Sequence, residues 1–390
     1  MIEAGDNRPM LEGLRVVDMT SVVFGPYCTQ ILADFGAEVI KVEAPGGDVF
    51  RHAARPARTP GMAPGYIALN RGKQSLLLDL KQDADRSILS DLLCDADIFI
   101  HNVRAEAIAR LGFDYDTVRE LAPDIIYAHC VGFGSGGPYA GLQAYDDVIQ
   151  AASGTATLLP RADGDARPRY LPSLIADKVA GLHAAYAVMG ALFHRERTGE
   201  AQHVEVPMFE TLAAFLLAEH MDGATFEELP QDFGYARMLV PHRRPVQTAD
   251  GYITILPYTN VQWARFFKTV GRNDMIDHAW VTDMDARSRN IGAVYDMVAQ
   301  IALTRTTDEW LDLMEQADIP AMPVRNLSDL PNDPHLAATG FFQRIDHPTE
   351  GAIWTTRPPV RFSATPARHD HRPAPRLGEH SDEILGPGRE

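Results

Sequence analysis

Cysteine is scarce in this sequence, and its spacing excludes two common uses of thiols. Cys28, Cys94 and Cys130 are odd in number, lie far apart and show no Cys-x-x-Cys spacing. A disulfide framework needs paired cysteines and a thiolate metal site needs closely spaced ones, so neither is expected. We therefore expect a protein of a reducing compartment, most simply the cytoplasm.

Basic residues are outnumbered by acidic ones, since 36 Lys and Arg stand against 53 Asp and Glu for a formal net charge of −17. That charge repels nucleic acid and anionic membrane surfaces, so neither is expected as a partner, whereas a small anionic ligand needs only a few local cations. Long apolar runs are also lacking, because the longest, such as LHAAYAVMGALF, are too short to span a bilayer. The N-terminal segment MIEAGDNRPMLEG has no apolar core and predicts no signal peptide.

The first strand-to-helix turn, SVVFGPY, lacks the Gly-x-Gly-x-x-Gly spacing that lets a backbone approach a dinucleotide, which disfavours a nicotinamide dehydrogenase. The elements around this turn still indicate a parallel sheet, with a strand over Leu14–Met19, a helix over Gly25–Gly36 and a strand over Ala37–Glu43. Strand and helix patterns then alternate, through a strand over Gln74–Leu80, as far as residues 124–134. We expect a doubly wound α/β domain with ligands at the carboxyl ends of its strands.

The length of 390 residues predicts two domains rather than one core. Residues 143–225 have a mostly helical pattern, interrupted by the polar loop LPRADGDARPRYLPS. The pattern restarts at GYITILPY, which predicts a large domain over residues 1–227 and a smaller one over 228–330. The Pro-, Arg- and His-rich segment 331–390 carries strand-like pieces such as IWTTRPPVRFS and is expected to return to the large domain or to a partner chain.

Basic side chains near two predicted strands are candidates for binding phosphate. They are Arg71, Lys73 and Lys81 around one strand, and Arg104 and Arg110, with Asn102, after another. A single such stretch is usually a solvated surface, but several at one sheet edge favour an anionic ligand. Five glycines within residues 132–141 permit positive φ angles and close approach to a ligand, or mark a mobile loop.

Asp177 precedes a long helix rich in small residues, and two explanations fit it. An Asp at the amino end of a helix commonly caps free backbone amides, which is the simpler explanation. The helix that follows carries small residues on several faces, among them Ala180, Gly181 and Gly190, which allow close packing against its neighbours. A carboxylate at the mouth of such a buried helix is also a candidate nucleophile or general base.

Seven segments follow one another along nearly the whole chain from Leu11: LEGLRVVDMT, GPYCTQILADFGAEVIKVEAPGGD, NRGKQSLLLDLK, ADIFIHNVRAEAIARLGFDYDTVRELAPDIIYAHCVGFGSGGPYAG, YDDVIQAASG, IADKVAG and ALFHRERTGEAQHVEVPMFE. In this order they resemble the family III CoA-transferases, the carnitine and formyl-CoA transferase family that also contains α-methylacyl-CoA racemases. The resemblance implies an α/β fold with a large Rossmann-like domain, a smaller α/β domain and an interlocked homodimer. By position it implies coenzyme A contacts at Val23, Phe24, Leu78, Asp79, Leu80, Lys81, Asn102, Val103, Arg104, Arg110, Leu142, Gln143, Ala144 and Tyr145.

The resemblance also implies that Asp177 is the nucleophile in a transfer of CoA from an acyl-CoA thioester to a small free carboxylic acid. Its carboxylate attacks the donor thioester to give an acyl-aspartyl anhydride and CoA thiolate. The thiolate then attacks the aspartyl carbonyl to give an aspartyl-CoA thioester, and the acceptor carboxylate takes over by the reverse sequence. Groups of similar energy are exchanged, so neither a metal nor a permanently bound cofactor is expected.

The sequence departs from the family pattern at several places. Phe24 stands where a small residue is common, Gln143 where some members carry Lys, and residues 256–262 (LPYTNVQ) where a Gly-rich lid is expected. Tyr145 stands where the racemases carry His, and a Tyr, with an unperturbed pKa of about 10, is a poor base. This favours a transferase over a racemase that would use Asp177 as acid and base. A protein that only holds acyl-CoA is disfavoured because Asp177 is present.

Two further groups of residues carry weaker signals. Phe24, Tyr27, Phe209 and Tyr258 are candidates for lining an acyl pocket or for ordinary core. Near the C-terminus His369 and His371 flank Asp370, but a Pro-rich tail with no fourth ligand in view predicts a solvated stretch rather than a metal site.

Overall fold

The structure, a computed structural model, describes residues 8–53, 55, 57–228, 232–365, 367 and 372–386. The His369, Asp370 and His371 stretch and residues 1–7 of the N-terminal segment lie outside the described residues. The chain divides into two compact units, the first comprising Met1–Thr155, Tyr170–Phe215 and Pro334–Glu390 and the second Ala156–Arg169 and Leu216–Asp333. Residues 156–169 and 216–227, which the sequence pattern places in the large domain, group with the second unit, as do residues 331–333 of the predicted C-terminal segment.

The first unit is built on a six-stranded parallel sheet. Its strands are β1 (Arg15–Met19), β2 (Glu38–Glu43), β3 (Lys73–Leu77), β4 (Ile98–His101), β5 (Ile126–Val131) and β6 (His203–Pro207). Their order is β3-β2-β1-β4-β5-β6, and every neighbouring pair is parallel. This is the Rossmann order, in which the connections reverse direction between β1 and β4 and leave a crevice at the carboxyl ends of those strands. The prediction of a doubly wound parallel sheet is confirmed.

Helices occur in both units. In chain order they are α1 (Phe24–Asp34), α2 (Pro64–Asn70), α3 (Asp83–Cys94), α4 (Ala105–Leu111), α5 (Tyr115–Leu121), α6 (Asp146–Ala152), α7 (Leu158–Asp163), α8 (Ile175–Thr198), α9 (Met208–His220), α10 (Asn260–Thr269), α11 (Ala279–Thr282), α12 (Met284–Arg289), α13 (Ile291–Ala302), α14 (Thr307–Gln316), α15 (Pro334–Ala338) and α16 (Ser381–Leu385). Within the described part of the chain, none of them is both long and apolar enough to cross a membrane.

Apolar side chains from the central strands and the flanking helices form the core of the first unit. Val17 on β1, Phe99 on β4 and Leu89 on α3 have no exposed surface and belong to one cluster. Strands covered on both faces by helices have near-continuous apolar runs, which is why VVDM and IFI lack a polar alternation.

The second unit has its own small sheet and core. Strands β7 (Val246–Gln247), β8 (Tyr252–Ile255) and β9 (Ala321–Pro323) are antiparallel in that order. Trp263 of α10 and Trp310 of α14 are almost completely buried in one cluster. The indole N–H of Trp310 donates to the carbonyl of Ala302 at 2.8 Å, which satisfies its polar atom within the core.

The C-terminal segment packs on the first unit. Strands β10 (Phe342–His347) and β11 (Gly351–Thr356) form an antiparallel hairpin. Beyond it the backbone reaches β3, where the amide of Gly72 donates to the carbonyl of Arg372 and that of His380 to the carbonyl of Ser75. In the strand-like piece IWTTRPPVRFS, the strand ends before Pro358 and Pro359, which have no amide to donate.

The mostly helical pattern expected over residues 143–225 corresponds to α6, α7, α8 and α9, with the edge strand β6 between the last two. Two local predictions are wrong. The loop expected over LPRADGDARPRYLPS includes most of α7, which ends at Asp163 and is followed by Gly164 with a left-handed φ of 80°. Strand β3 ends at Leu77 rather than Leu80, because residues 78–80 leave the sheet and line a cavity.

Candidate active site

Two neighbouring cavities open at the carboxyl ends of the strands of the first unit. The first, of about 340 Å³, is lined by Met19, Thr20, Ser21, Val42, Glu43, Ala44, Gly47, Asp48, Leu78, Asp79, Leu80, Lys81, Val103 and Leu111. The second, of about 300 Å³, is lined by Ser21, Val22, Phe24, Val49, Asn102, Arg104, Cys130, Val131, Gly132, Leu142, Gln143, Ala144, Tyr145, Asp177 and Met208. Ser21 lines both cavities, so they adjoin at the point where the strand order reverses, the usual ligand site of such sheets.

The residues predicted to contact coenzyme A come together at these cavities, with two exceptions. Val23 is buried at the residue before α1, and Arg110 is exposed in the last turn of α4, next to Leu111 of the first cavity. The others line one cavity or the other. Their roles in binding coenzyme A stay predictions.

Two of the basic residues expected at the ligand edge lie elsewhere, which corrects that expectation. Lys73 lies at the amino end of β3, is fully buried, and its ammonium contacts Asp18 at 3.2 Å and the Thr29 hydroxyl at 2.7 Å. Arg71 pairs with Asp34 at 2.9 Å. Both cations are occupied by structural contacts because they lie at the amino end of β3, whereas the ligand edge lies at its carboxyl end.

Asp177 is not the cap of its helix. The residue before α8 is Leu174, and Asp177 lies within the first turn. The cap is supplied by Asp146 of α6, whose Oδ1 accepts hydrogen bonds from the amides of Ala176 at 2.7 Å and Asp177 at 3.1 Å. The capping explanation of Asp177 is therefore wrong, and its side chain lies at the second cavity instead. Asp146 was missed in the sequence because its partners lie thirty residues away.

The Asp177 carboxyl has an unusual environment for a carboxylic acid. Burial, and after it the nearby Asp146 carboxylate, raise the pKa of Asp177 to about 7, although a hydrogen bond from the backbone amide of Phe24 opposes the shift. Phe24 is the first residue of α1, so its amide is one that the helix itself leaves without a partner. A carboxylate with a raised pKa is more basic than ordinary Asp and suited to attack a carbonyl carbon near neutral pH.

Helix α8 approaches α1 closely on the face that carries Asp177. Gly181, one turn after Asp177, has Phe24 and Tyr27 against it, and a Cβ added there would lie 2.8 Å from the Phe24 carbonyl oxygen. Real Cβ atoms do not approach backbone that closely. Glycine at 181 therefore permits the close approach of α8 to the first turn of α1.

The glycine-rich loop is held in place by two glutamate side chains, one on β6 and one on α9. The amides of Gly134 and Ser135 donate to Glu210 and Glu205, each at 3.0 Å. A Cβ at Gly132 would lie 2.4 Å from that of Ala144, so glycine there lets residues 142–145 pack onto β5. Within residues 132–141 only Gly141 has a positive φ. Close approach, more than left-handed backbone, explains glycine at 132.

Other candidates of the sequence have structural surroundings. Tyr27 packs against α8 at Gly181, and Phe209 contacts Phe133 with ring centroids 5.5 Å apart. Cys130 lines the second cavity, but burial raises the pKa of its thiol well above its usual range, so it is not a competing thiolate. Among the described residues, no group of three or more His, Cys, Asp or Glu side chains is placed to hold a metal ion.

The segment LPYTNVQ lies in the second unit and starts a helix. Thr259 precedes α10, its hydroxyl accepts from the Gln262 amide at 3.2 Å, and the Gln262 side chain accepts from the Thr259 amide. The guanidinium carbon of Arg237 lies 5.3 Å from the Tyr258 ring centroid. A capped helix start therefore stands where the family pattern has a Gly-rich loop.

The fold and this edge of the sheet define an α/β enzyme-like scaffold with a buried carboxylate beside a two-part ligand cavity. The chain matches the family described as CoA-transferase family III over residues 11–381. It therefore belongs to CoA-transferase family III, and the expectation of a CoA-transferase-type enzyme is confirmed.

Relatives and solved structures agree with this family. The chain is 31% identical to the succinate–glutarate CoA-transferase of Agrobacterium fabrum, covering 99% of this chain and 97% of that protein. It is 32% identical to the succinyl-CoA:mesaconate CoA-transferase of Haloarcula hispanica, covering 96% and 95%. Its structure is similar to that of a CAIB/BAIF family protein from Brucella suis, with a TM-score of 0.81, 30% identity and coverage of 97% and 99%.

Replacing Gly181 tests the close contact between α8 and α1. Gly181→Ala adds a Cβ against the Phe24 backbone, so we expect a loss of stability of roughly 1–3 kcal/mol despite the better helix propensity of Ala. Gly190→Ala is the matched control on the same helix, since within one chain nothing lies within 4 Å of a Cβ there; it is measured on the isolated chain as well as on any dimer, because Gly190 lies on the face of Tyr186 and Phe193. It should gain up to about 1 kcal/mol. Urea unfolding midpoints measure both, and equal shifts in one direction would contradict the contact.

Proposed function

We propose that the protein transfers CoA from an acyl-CoA thioester to a small free carboxylic acid through a covalent aspartyl-CoA intermediate on Asp177. The observation that carries this proposal is the Asp177 carboxyl itself. It lines the second cavity, caps no helix, and has a pKa raised to about 7 by burial and by Asp146. Membership of CoA-transferase family III supports the reaction class.

The first half of the reaction forms the covalent intermediate. The Asp177 carboxylate attacks the thioester carbonyl carbon and the C–S bond breaks. CoA departs as a thiolate, and an acyl-aspartyl anhydride remains on the enzyme. The thiolate then attacks the aspartyl carbonyl carbon, the anhydride C–O bond breaks, and the donor acid departs as a carboxylate. The Phe24 amide, at the amino end of α1, offers a hydrogen bond where negative charge develops on the aspartyl oxygen.

The second half reverses these steps with a different acid. The acceptor carboxylate attacks the aspartyl-CoA carbonyl and releases thiolate, and the thiolate attacks the acceptor's carbonyl in the mixed anhydride. The products are a new acyl-CoA and the free Asp177 carboxylate. Each bond broken is replaced by one of the same type over the whole cycle, so the exchange is close to balanced in energy.

The two cavities suit the two ends of an acyl-CoA. In this proposal the nucleotide end occupies the first cavity, beside Leu78, Leu80 and Lys81, and the thioester reaches Asp177 in the second. Lys81 and Arg104 supply positive charge to phosphate groups within an acidic protein. Ser21, which lines both cavities, lies where the pantetheine arm passes between them.

The acceptor in this proposal is a small carboxylic acid. The relatives named above are a succinate–glutarate and a succinyl-CoA:mesaconate CoA-transferase, and a third, from Rhodopseudomonas palustris, is named a formyl-CoA:oxalate CoA-transferase. A panel of acids from oxalate to branched and aromatic acids, each offered with succinyl-CoA, identifies the preferred pair. Phe24 lines the second cavity. The panel shows which sizes of acid the cavity accepts beside this side chain.

We also propose that the protein is an interlocked homodimer, supported by an apolar face of α8. Leu182, Tyr186 and Phe193 lie at seven- and four-residue spacings on this helix and are between 49% and 63% exposed. Exposed apolar faces of this kind are typical of protein–protein contact. A second copy of the chain is the occupant that the family resemblance implies.

Loss of the nucleophile tests the reaction. With Asp177→Asn or Asp177→Ala we expect loss of CoA exchange between succinyl-CoA and a labelled acid, because no anhydride can form. Mass spectrometry of the peptide carrying residue 177 should show a CoA adduct in the unaltered protein only. Asp147→Asn, one residue from Asp146 but exposed, is the matched control and should exchange normally.

Three results would overturn this assignment: full exchange by Asp177→Ala, an adduct on another residue, or incorporation of solvent deuterium at the α-carbon without exchange. The last would instead indicate the racemase alternative, in which Asp177 acts as acid and base.

The pH dependence of exchange tests the electrostatic role of Asp146. The attacking group is the ionised carboxylate, so kcat/KM should fall about tenfold per pH unit well below pH 7. Asp146→Asn keeps an acceptor for the amides of Ala176 and Asp177 but removes the negative charge that raises the pKa of Asp177. Its acid limb should therefore move to lower pH. An unmoved limb in this variant would show that Asp146 does not act on Asp177 electrostatically.

The oligomeric state tests the dimer. Light scattering should give twice the chain mass, and Phe193→Glu should shift the mass toward the monomer because it places a charge in the apolar face. Glu196→Gln, on the same helix but not apolar, is the control and should stay dimeric. A monomeric unaltered protein contradicts the homodimer.

A further inference from the structure

The turn that joins β1 to α1 contains a conformation that its sequence does not favour. Val22 has a φ of +70°, in the left-handed region that β-branched residues rarely adopt. The turn comprises residues 20–23, lies where the strand order reverses, and contributes Ser21 and Val22 to the second cavity. Strained backbone of this kind persists only where the surrounding structure enforces it, and it concentrates at functional sites.

Side chains from three other segments enforce the turn by binding its backbone. The Thr20 amide donates to Asp18, and its carbonyl accepts from the Lys41 ammonium at 2.8 Å. Asn102 binds Ser21 twice, accepting from its amide at 3.1 Å and donating to its carbonyl at 3.0 Å. The Val22 amide donates to Asp48 at 3.0 Å. All five of these backbone groups, in three successive residues, are thus held by side chains.

Asp48 and Asn102 are themselves well fixed. The second carboxylate oxygen of Asp48 pairs with Lys41 at 3.0 Å, both side chains being at most 1% exposed, and the Asp48 amide donates to Glu43. Asn102 directly follows β4, so its backbone position is set by the sheet. A strained turn held by such rigid partners has little freedom to relax.

We propose that Asp48 and Asn102 are positioning residues that hold Val22 left-handed so that the amino end of α1, at Phe24, lies against α8 and beside Asp177 at the second cavity. The inference rests on the proposed function. Phe24 lies two residues after Val22, so a change in φ at Val22 redirects the Phe24 amide. Asp48 contacts the turn from the side of the first cavity, and Asn102 from the second. The Phe24 amide, the donor proposed for Asp177, is thereby positioned by contacts from both cavities.

A rescue experiment tests this proposal through the strain. Asp48→Ala frees the Val22 amide, the turn relaxes, and kcat for exchange should fall by about tenfold to a hundredfold with little change in KM for the acyl-CoA. Glycine adopts the φ of +70° without penalty. Adding Val22→Gly to Asp48→Ala should therefore raise kcat at least about fivefold above that of Asp48→Ala. The Val22→Gly single variant shows what the glycine does by itself.

The acid limb of the pH profile is a second readout. It should move in one direction if Asp48 positions the turn and in the other direction if Asp48 acts only through its charge. Loss of the Phe24 hydrogen bond raises the pKa of Asp177, so the limb should move to higher pH in Asp48→Ala and return in the double variant. Removal of the Asp48 negative charge acting alone would move the limb to lower pH. The other charged groups near Asp177, Asp146 and Arg104, are unchanged in these variants.

Two further variants keep the test decisive if Asp48→Ala does not fold with Lys41 left unpaired. Asp48→Asn keeps an acceptor for the Val22 amide and should lose less kcat than Asp48→Ala. Asn102→Ala removes both contacts to Ser21 without exposing a buried charge, and Val22→Gly should rescue it in part. Failure of Val22→Gly to rescue either variant, while Asp177→Asn is inactive, overturns the positioning role alone. Full activity of Asp177→Asn overturns the proposed function instead.

Discussion

The geometry of the ligand site depends on two ion pairs buried among the first strands of the sheet. Lys73 pairs with Asp18 and Lys41 with Asp48, all four side chains being at most 1% exposed. Burial lowers the pKa of Lys73 to about 8 although Asp18 opposes the shift, which shows how much hydration the ammonium has lost. Such pairs add little net stability, but separating the partners is costly, so the strands and turns that carry them keep one geometry. The site inherits that rigidity.

Two carboxylates meet at the start of α8, and the arrangement serves structure and chemistry together. Asp146 satisfies amides that the helix cannot, a favourable role for a negative charge at a helix amino end. The same charge disfavours ionisation of Asp177 a short distance away. A neutral cap such as Ser would serve the helix equally but would leave Asp177 a weaker base. Asp at 146 thus serves both as the cap of α8 and as the charge that raises the pKa of Asp177.

The alternating strands and helices could be predicted from the sequence because apolar runs and turn residues are local signals. Charges near predicted strand ends could not be sorted that way: Lys73 and Lys81 are eight residues apart, yet only Lys81 follows β3 and reaches a cavity. The capping role of Asp146 and the contact of Asn102 with Ser21 were beyond local patterns, since their partners lie about 30 and 81 residues away. Asp177 was found through family resemblance, whereas its local pattern favoured a cap that the structure assigns to Asp146.

Helix α8 is constrained on two of its faces. Its inner face needs glycine at 181 so that the Phe24 backbone can approach, and its outer face carries exposed Leu182, Tyr186 and Phe193. A helix that is amphipathic in the usual way would place charged residues on one of these faces. If the outer face is covered by a second chain, as proposed, both sides of α8 are fixed by packing. The Asp177 carboxyl would then be held by the dimer as well as by α1, so that assembly and nucleophile geometry depend on one helix.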